Sequence, residues 1–231
     1  LHFQVQLTRE LGAATHPYPF GYFFTREGEH TVLHTGEIPR EGSNLFMLPP
    51  MALALDALSA KPGRLLRVSR GEESWEWLIA TDSYNKSYIR CTKSRSRAYF
   101  ENDGTMFYFT DFEGRKSSPL YPFYQSCFKL LLSAGRGIEV SDRMPLTYEH
   151  PTGTRWLQDL FAPFVLFTNI RYRSLLAETD NIHYPGVIIY HTETISSLLR
   201  IWHQQRKTTV TITPRRILIQ TQNQPLCIEW D

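Results

Sequence analysis

The pair Asp103-Gly104 stands between two strand-like runs, SYIRCTKSRSRAYF (87–100) and TMFYFTDF (105–112). Asp-Gly in that setting is a strong short-range signal for a β-hairpin, because both central residues of a type I′ turn need positive φ. Similar short runs, bounded by Gly, Pro or Asp, recur along the chain: RLLRVSR (64–70), SWEWLIAT (74–81), GVIIYHTE (186–193), TTVTITP (208–214), RRILIQTQ (215–222) and PLCIEW (225–230). Runs of this length and residue type read as strands. A further hairpin is expected over Tyr22–Ile38, turning near Glu27-Gly28.

Helical signals are fewer. Pro49-Pro50 precedes MALALDALSA (51–60), since proline suits the first turn of a helix. Tyr124, Cys127, Phe128 and Leu131 fall at i, i+3, i+4 and i+7, one face of a helix over Tyr124–Ser133. In RWLQDLFAPF (155–164) the large apolar residues share one side. In ISSLLRIWHQQ (195–205), Ile195, Leu198, Leu199 and Trp202 form an apolar stripe. Met51–Thr81 and Ile195–Trp230 both read as a helix followed by strands, a repetition of pattern rather than of letters.

The expected fold is a β-rich α+β domain: antiparallel sheets with three or four short helices packed on one face, a pseudo-duplicated pair of lobes being one form of it. A single domain spans residues 1–231. If there are two lobes, they are 1–150 and 151–231, with the boundary near Glu149–Thr154. Hydrophobic residues make up 42% of the chain and aromatics 13%, a folding composition.

No run of about 18 apolar residues exists, so no membrane span is expected. The start of the chain lacks a basic segment leading into an apolar one, hence no visible signal peptide. Cys91, Cys127 and Cys227 are odd in number and far apart, with no CxxC pair. That argues against a zinc knuckle or redox motif and fits a reducing compartment, so the expected location is the cytoplasm.

Net charge is only +2, but its distribution is uneven. Residues 1–60 carry Arg9, Arg26 and Arg40 against six acids. Residues 61–100 carry nine basic groups against Glu72, Glu73, Glu76 and Asp82. Arg200–Arg216 contains Arg200, Arg206, Lys207, Arg215 and Arg216 and no acid. Such asymmetry hints at an anionic partner.

The candidate contacts are Arg90, Lys93, Arg95 and Arg97. In an extended strand Lys93, Arg95, Arg97 and Tyr99 line one face, with Arg90 on the other. Three cations and an aromatic on one face suit phosphates and a stacked base. Arg64, Arg67 and Arg70, or Arg206, Lys207, Arg215 and Arg216, extend the patch if the fold brings them near. Against this, lysine and arginine also fill the wet face of an antiparallel strand and protect its edge. Glutamates 72, 73, 76 and 101 could neutralise the cluster.

Other chemistry finds less support. His30 and His34 lie roughly 13 Å apart on a strand, too far to share a metal, and the third ligand is missing. SAGRGIEV (133–140) lacks a phosphate-loop pattern and reads as a helix stop. No GxSxG elbow or local cysteine-protease signature occurs. No catalytic residue, metal or cofactor is therefore assigned.

The expected function is a non-enzymatic binding or assembly module whose basic sheet surface contacts an anionic partner, nucleic acid without sequence readout being the leading example. A protein–protein scaffold, including a homo-oligomer, using an apolar patch such as Trp156–Phe167 and an enzyme with a dispersed site stay open as alternatives.

Overall fold

Alternating side chains and tight turns here build one long antiparallel sheet rather than sheet-and-helix layers. The computed structural model describes residues 5–6, 8–10, 15–16, 19–28, 30–59, 61–135, 137–145, 160, 168–179, 186–198, 202–221 and 224–230. The chain divides into two compact units, Leu1–Leu48 and Pro49–Asp231.

In the first unit, β1 (Val5–Gln6) pairs with β2 (Thr15–His16). Strand β3 (Phe20–Glu27) lies between β4 (His30–Glu37) and β5 (Leu45–Phe46). The β3–β4 hairpin turns at the expected Gly28.

The second unit begins with α1 (Ala52–Ala57), then β6 (Leu65–Arg70), β7 (Glu73–Thr81), β8 (Ser87–Cys91), β9 (Arg97–Asn102) and β10 (Met106–Glu113). It continues through α2 (Leu120–Ser126), β11 (Lys129–Leu131), β12 (Glu139–Arg143), β13 (Thr168–Thr179), β14 (Ile188–Leu198), β15 (Trp202–Thr213), β16 (Arg216–Gln220) and β17 (Leu226–Glu229). Chain neighbours pair antiparallel from β6 to β11 and from β12 to β17, and β17 pairs with β6. The result is a twelve-stranded, nearly closed barrel whose seam lies between β11 and β12.

Side chains bridge that seam where the ladder does not. Ser174 Oγ donates to the Lys129 carbonyl at 2.7 Å, and Lys129 Nζ meets Asp142 Oδ2 at 2.6 Å. Tyr172 and Tyr190 donate their hydroxyls to the carbonyls of Ser126 and Leu131 at 3.0 and 2.6 Å. Each buried hydroxyl bond of this kind is worth about 1 kcal/mol net.

Barrel width grows with strand number, so twelve strands enclose more space than their own side chains easily fill. Helix α2 fills it. The helix touches β9, β10, β14 and β15, on different sides of the interior, and six of its seven residues are buried. A helix buried all round belongs inside a core. Rings then run across the lumen in contact: Trp77 to Phe123 at 5.5 Å, Phe123 to Phe109 at 5.4 Å, Phe109 to Tyr124 at 5.2 Å, Tyr124 to Phe128 at 5.7 Å, Phe128 to Tyr172 at 5.5 Å. The space left between Leu58, Phe100, Phe107 and Phe123 is about 10 Å³, room for one water at most. This is a packed core, not a ligand-carrying lumen.

The α+β expectation is overturned. The described residues hold two short helices, one of them inside a single barrel-like sheet, and neither a helical layer on one face nor a duplicated pair of lobes. The largest departure is at ISSLLRIWHQQ, which supplies the ends of β14 and β15. Thr192, Thr194 and Ser196 alternate inward there, and the β-branched residues on both sides favour strand; pairing along eleven residues outweighs the helical stripe. Helix α2 starts and ends earlier than the expected Tyr124–Ser133, because Lys129–Leu131 joins the sheet instead. The expected helix over 155–164 lies outside the described residues apart from Leu160, and the boundary near Glu149–Thr154 lies outside them altogether. Among the described residues no helix is long and apolar enough to cross a membrane.

Candidate anion-binding surface

The β9–β10 hairpin forms where Asp103-Gly104 predicts it, but its turn is not type I′. Only Gly104 has positive φ, +87°. Asn102 pairs with Phe107, and Asp103 Oδ1 accepts the N–H groups of Thr105 and Met106 at 2.8 and 2.7 Å. The aspartate closes a longer turn with its own side chain.

The preceding hairpin decides where the cations go. Strand β8 ends at Cys91 and β9 starts at Arg97, so Lys93 and Arg95 sit in a tight turn rather than an extended strand. The Cys91 N–H donates to the Ser96 carbonyl and the Arg95 N–H to the Cys91 carbonyl. Arg95 adopts φ +60°, the left-handed conformation that follows a type I turn in such hairpins. Ser94 Oγ lies 2.9 Å from Ser118 Oγ, tying this turn to the loop after β10.

The turn resets the alternation, so the expected three-to-one split of cations is corrected. Arg90 and Arg97 are register partners and share the outer face with Tyr88 and Tyr99, which are partners in turn. The Tyr88 and Tyr99 rings lie 5.3 Å apart, and the Arg97 guanidinium stands 5.3 Å from the Tyr88 centroid. Arg97 reaches Glu113 at 3.8 Å, and its bond with Tyr99 raises its pKa further. Arg90 Nε is buried without a hydrogen-bond partner.

The C-terminal cations do not extend this surface as one patch. Lys207 faces outward opposite Glu193. Arg216 pairs with Glu229 at the far end of β15, next to Arg215. Thr213 is seven residues beyond Arg206, roughly 23 Å along the strand. Arg206 is exposed at the barrel rim, where its Nη1 donates to Gln125 Oε1 on α2. Arg64 is committed to α1, reaching Asp56 at 3.5 Å and lying 4.9 Å from the Trp230 ring. Arg67 stands between Glu76 and Glu229 in register.

Three clefts on the barrel carry charge. One of about 640 Å³ at the α1 end has Arg67, Arg215 and Arg216 against Glu76 and Glu229. One of about 600 Å³ on the outer face has Arg173 and Lys207 against Glu139 and Glu193. The third, about 400 Å³ at the α2 end, has Arg70, Lys116 and Arg206 and no acid in its lining. The sequence carries no local sign of it, because its residues come from five separate segments. One clue was available: Arg206 shares a face with Val210 and Ile212, which are core residues.

Nucleophiles and metal ligands give nothing comparable. Burial pushes the Cys127 thiol far above its ordinary range and raises Cys227 as well. Cys91 is buried. Among the described residues no group of three His, Cys, Asp or Glu side chains could hold a metal ion. In the first unit His34 bridges Thr25 Oγ1 at 2.8 Å and Glu37 Oε2 at 2.9 Å, and stacks on Phe23. The order carboxylate–imidazole–hydroxyl resembles a nucleophile relay, yet Thr25 is 8% exposed and none of these residues lines the clefts above. Comparison with protein-family models, with curated proteins and with solved structures finds no match for this chain.

Proposed function

We propose that the protein is a non-enzymatic binding module whose β8–β9 surface contacts an anionic partner, nucleic acid without sequence readout being the leading case. The observation behind this reading is the Arg90–Arg97 register pair. Like charges directly opposite in a sheet are destabilising, and one of these guanidinium groups has a buried Nε with no partner. A phosphate between the two guanidinium groups relieves their repulsion. Tyr88 and Tyr99 supply rings beside it for a base to stack on, and Lys93 and Arg95 extend the positive charge into the turn. A reducing compartment, the cytoplasm in this reading, suits three unpaired thiols.

The test is fluorescence anisotropy with mixed-sequence single-stranded RNA and DNA across a salt series. Four phosphate contacts predict a log–log salt slope of about −3 for a single strand. Changing Arg90, Lys93, Arg95 and Arg97 together to Ser should remove most of that slope. If affinity and slope survive the quadruple change, this surface is not the interface.

A further inference from the structure

The cationic strip on β8 and β9 is narrow, and its borders differ in chemistry from its centre. Resting on the reading above, we infer that it accepts a single strand and rejects a duplex, with Asp111 and Glu113 of β10 setting the preference. Two rows of side chains cross the outer face here. Arg90, Arg97 and Glu113 are successive register partners in one row, and Tyr88, Tyr99 and Asp111 in the other. The rows stand two residues apart along the strands, about 7 Å. One nucleotide spans that distance from its base on the tyrosines to its phosphate on the arginines. Only an unpaired, unstacked base can turn its face to a ring, because in a duplex neighbouring bases cover both faces.

Across the strands the positive charge ends abruptly. Neighbouring strands lie about 5 Å apart, so Arg90 and Arg97 make a strip only two strands wide. On one side β10 presents Asp111 and Glu113, both exposed, with Phe112 buried between them. Glu113 Oε2 stands 3.8 Å from Arg97 Nη1 and so competes with a phosphate for that guanidinium. On the other side Leu78 and Ala80 of β7 are the partners of Arg90 and Tyr88, and Leu65, 55% exposed, pairs with Leu78. Further cations lie along the strand direction: Lys93 and Arg95 in the turn, and Arg115 in the loop that Ser118 ties to Ser94. A duplex doubles the charge per unit length, and its second row of phosphates lies across a groove about 6–12 Å wide. Those phosphates fall on the acids of β10 or the apolar side chains of β7. Like charges brought together are repelled, and a phosphate over apolar side chains loses hydration without gaining a partner. A single strand laid along the cations meets neither penalty.

The experiment is fluorescence anisotropy of the full chain with one labelled mixed-sequence DNA oligonucleotide, free or annealed to its complement, at equal salt. The single strand should bind about tenfold tighter, since one stacked base alone contributes that much. Asp111→Asn with Glu113→Gln keeps both side-chain shapes and the acceptor for the Phe112 N–H. It should raise duplex affinity about tenfold, and single-strand affinity by no more than about threefold through release of Arg97. Tyr88→Leu should weaken the single strand several-fold and leave the duplex unchanged. Glu193→Gln with Glu229→Gln, on β14 and β17 and well away from the strip, changes net charge equally and should move neither arm. Duplex binding as tight as single-strand binding overturns the inference while the β8–β9 reading stands. So does a β10 change that raises both arms equally, or a β14 and β17 change that acts as strongly as the β10 one. Binding of neither form by the unaltered chain overturns the reading and the inference together.

Discussion

The two ends of the barrel solve the same problem differently. At one end α1 lies against the strands: Met51, Ala54, Ala57 and Leu58 are buried, the Met51 N–H donates to the Leu132 carbonyl at 2.7 Å, and Asn102 Nδ2 donates to the Leu58 carbonyl at 3.0 Å. Arg64 there binds the Asp56 carbonyl, Ser59 Oγ and the Asp56 carboxylate, so its charge is spent on holding the helix. At the other end α2 has sunk inside, and Arg70, Lys116 and Arg206 line the cleft beside it. One end is held by a cation matched to its partners, the other by burial of the helix itself.

That contrast predicts that substitutions at the α1 end cost more stability than those lining the α2-end cleft. The largest effect expected is for Leu58→Ala, which empties a 4%-exposed position of the core. Urea denaturation should show a loss of about 2–4 kcal/mol. A loss below about 1 kcal/mol would mean that α1 is an appendage and not a closure.

Gly71→Ala sharpens the comparison from the cleft side. It forces a side chain onto a left-handed residue and against Gln224, so urea denaturation should show a loss of about 1–2 kcal/mol. No measurable loss would mean that Gln224 moves aside freely and that the turn is not part of the packing at this end.

The smallest effect is electrostatic. A hydrogen bond from Lys61, with the charges of Arg64 and Lys61, lowers the Asp56 pKa despite partial desolvation. A carboxylate depressed in the folded state stabilises it above the unfolded pKa near 3.8 and loses that contribution as pH falls through the folded value. Asp56 is 46% exposed, so screening leaves a fraction of a kcal/mol. The acid limb of an unfolding curve below about pH 4 should therefore flatten slightly in Asp56→Asn. An unchanged limb would mean that the α1-end ion pairs contribute nothing measurable.

Local chemistry made much of this barrel legible in advance. Strands β6, β7, β9, β10, β16 and β17 appear where alternation and turn residues put them; Gly71 and Gly104 mark two of their turns, and Gly28 marks the β3–β4 turn. What misled was periodicity without partners. Ile195, Leu198, Leu199 and Trp202 satisfy a helical stripe, while Tyr190, Thr192, Thr194 and Ser196 satisfy a strand, and only pairing with β13 and β15 chooses between them. Lys93 and Arg95 misled for a related reason: one four-residue turn between Cys91 and Ser96 shifts every later side chain to a different face.

Residue type and spacing by themselves determined that this chain is a succession of short antiparallel strands with a cationic middle segment. Those are nearest-neighbour properties, set by side-chain size, backbone preference and charge. Only the tertiary structure decided that twelve strands curve into one barrel, that α2 goes inside it, and that Arg70, Lys116 and Arg206 meet at its end. Those outcomes depend on which distant segments pair, an energy shared among all of them and written in none.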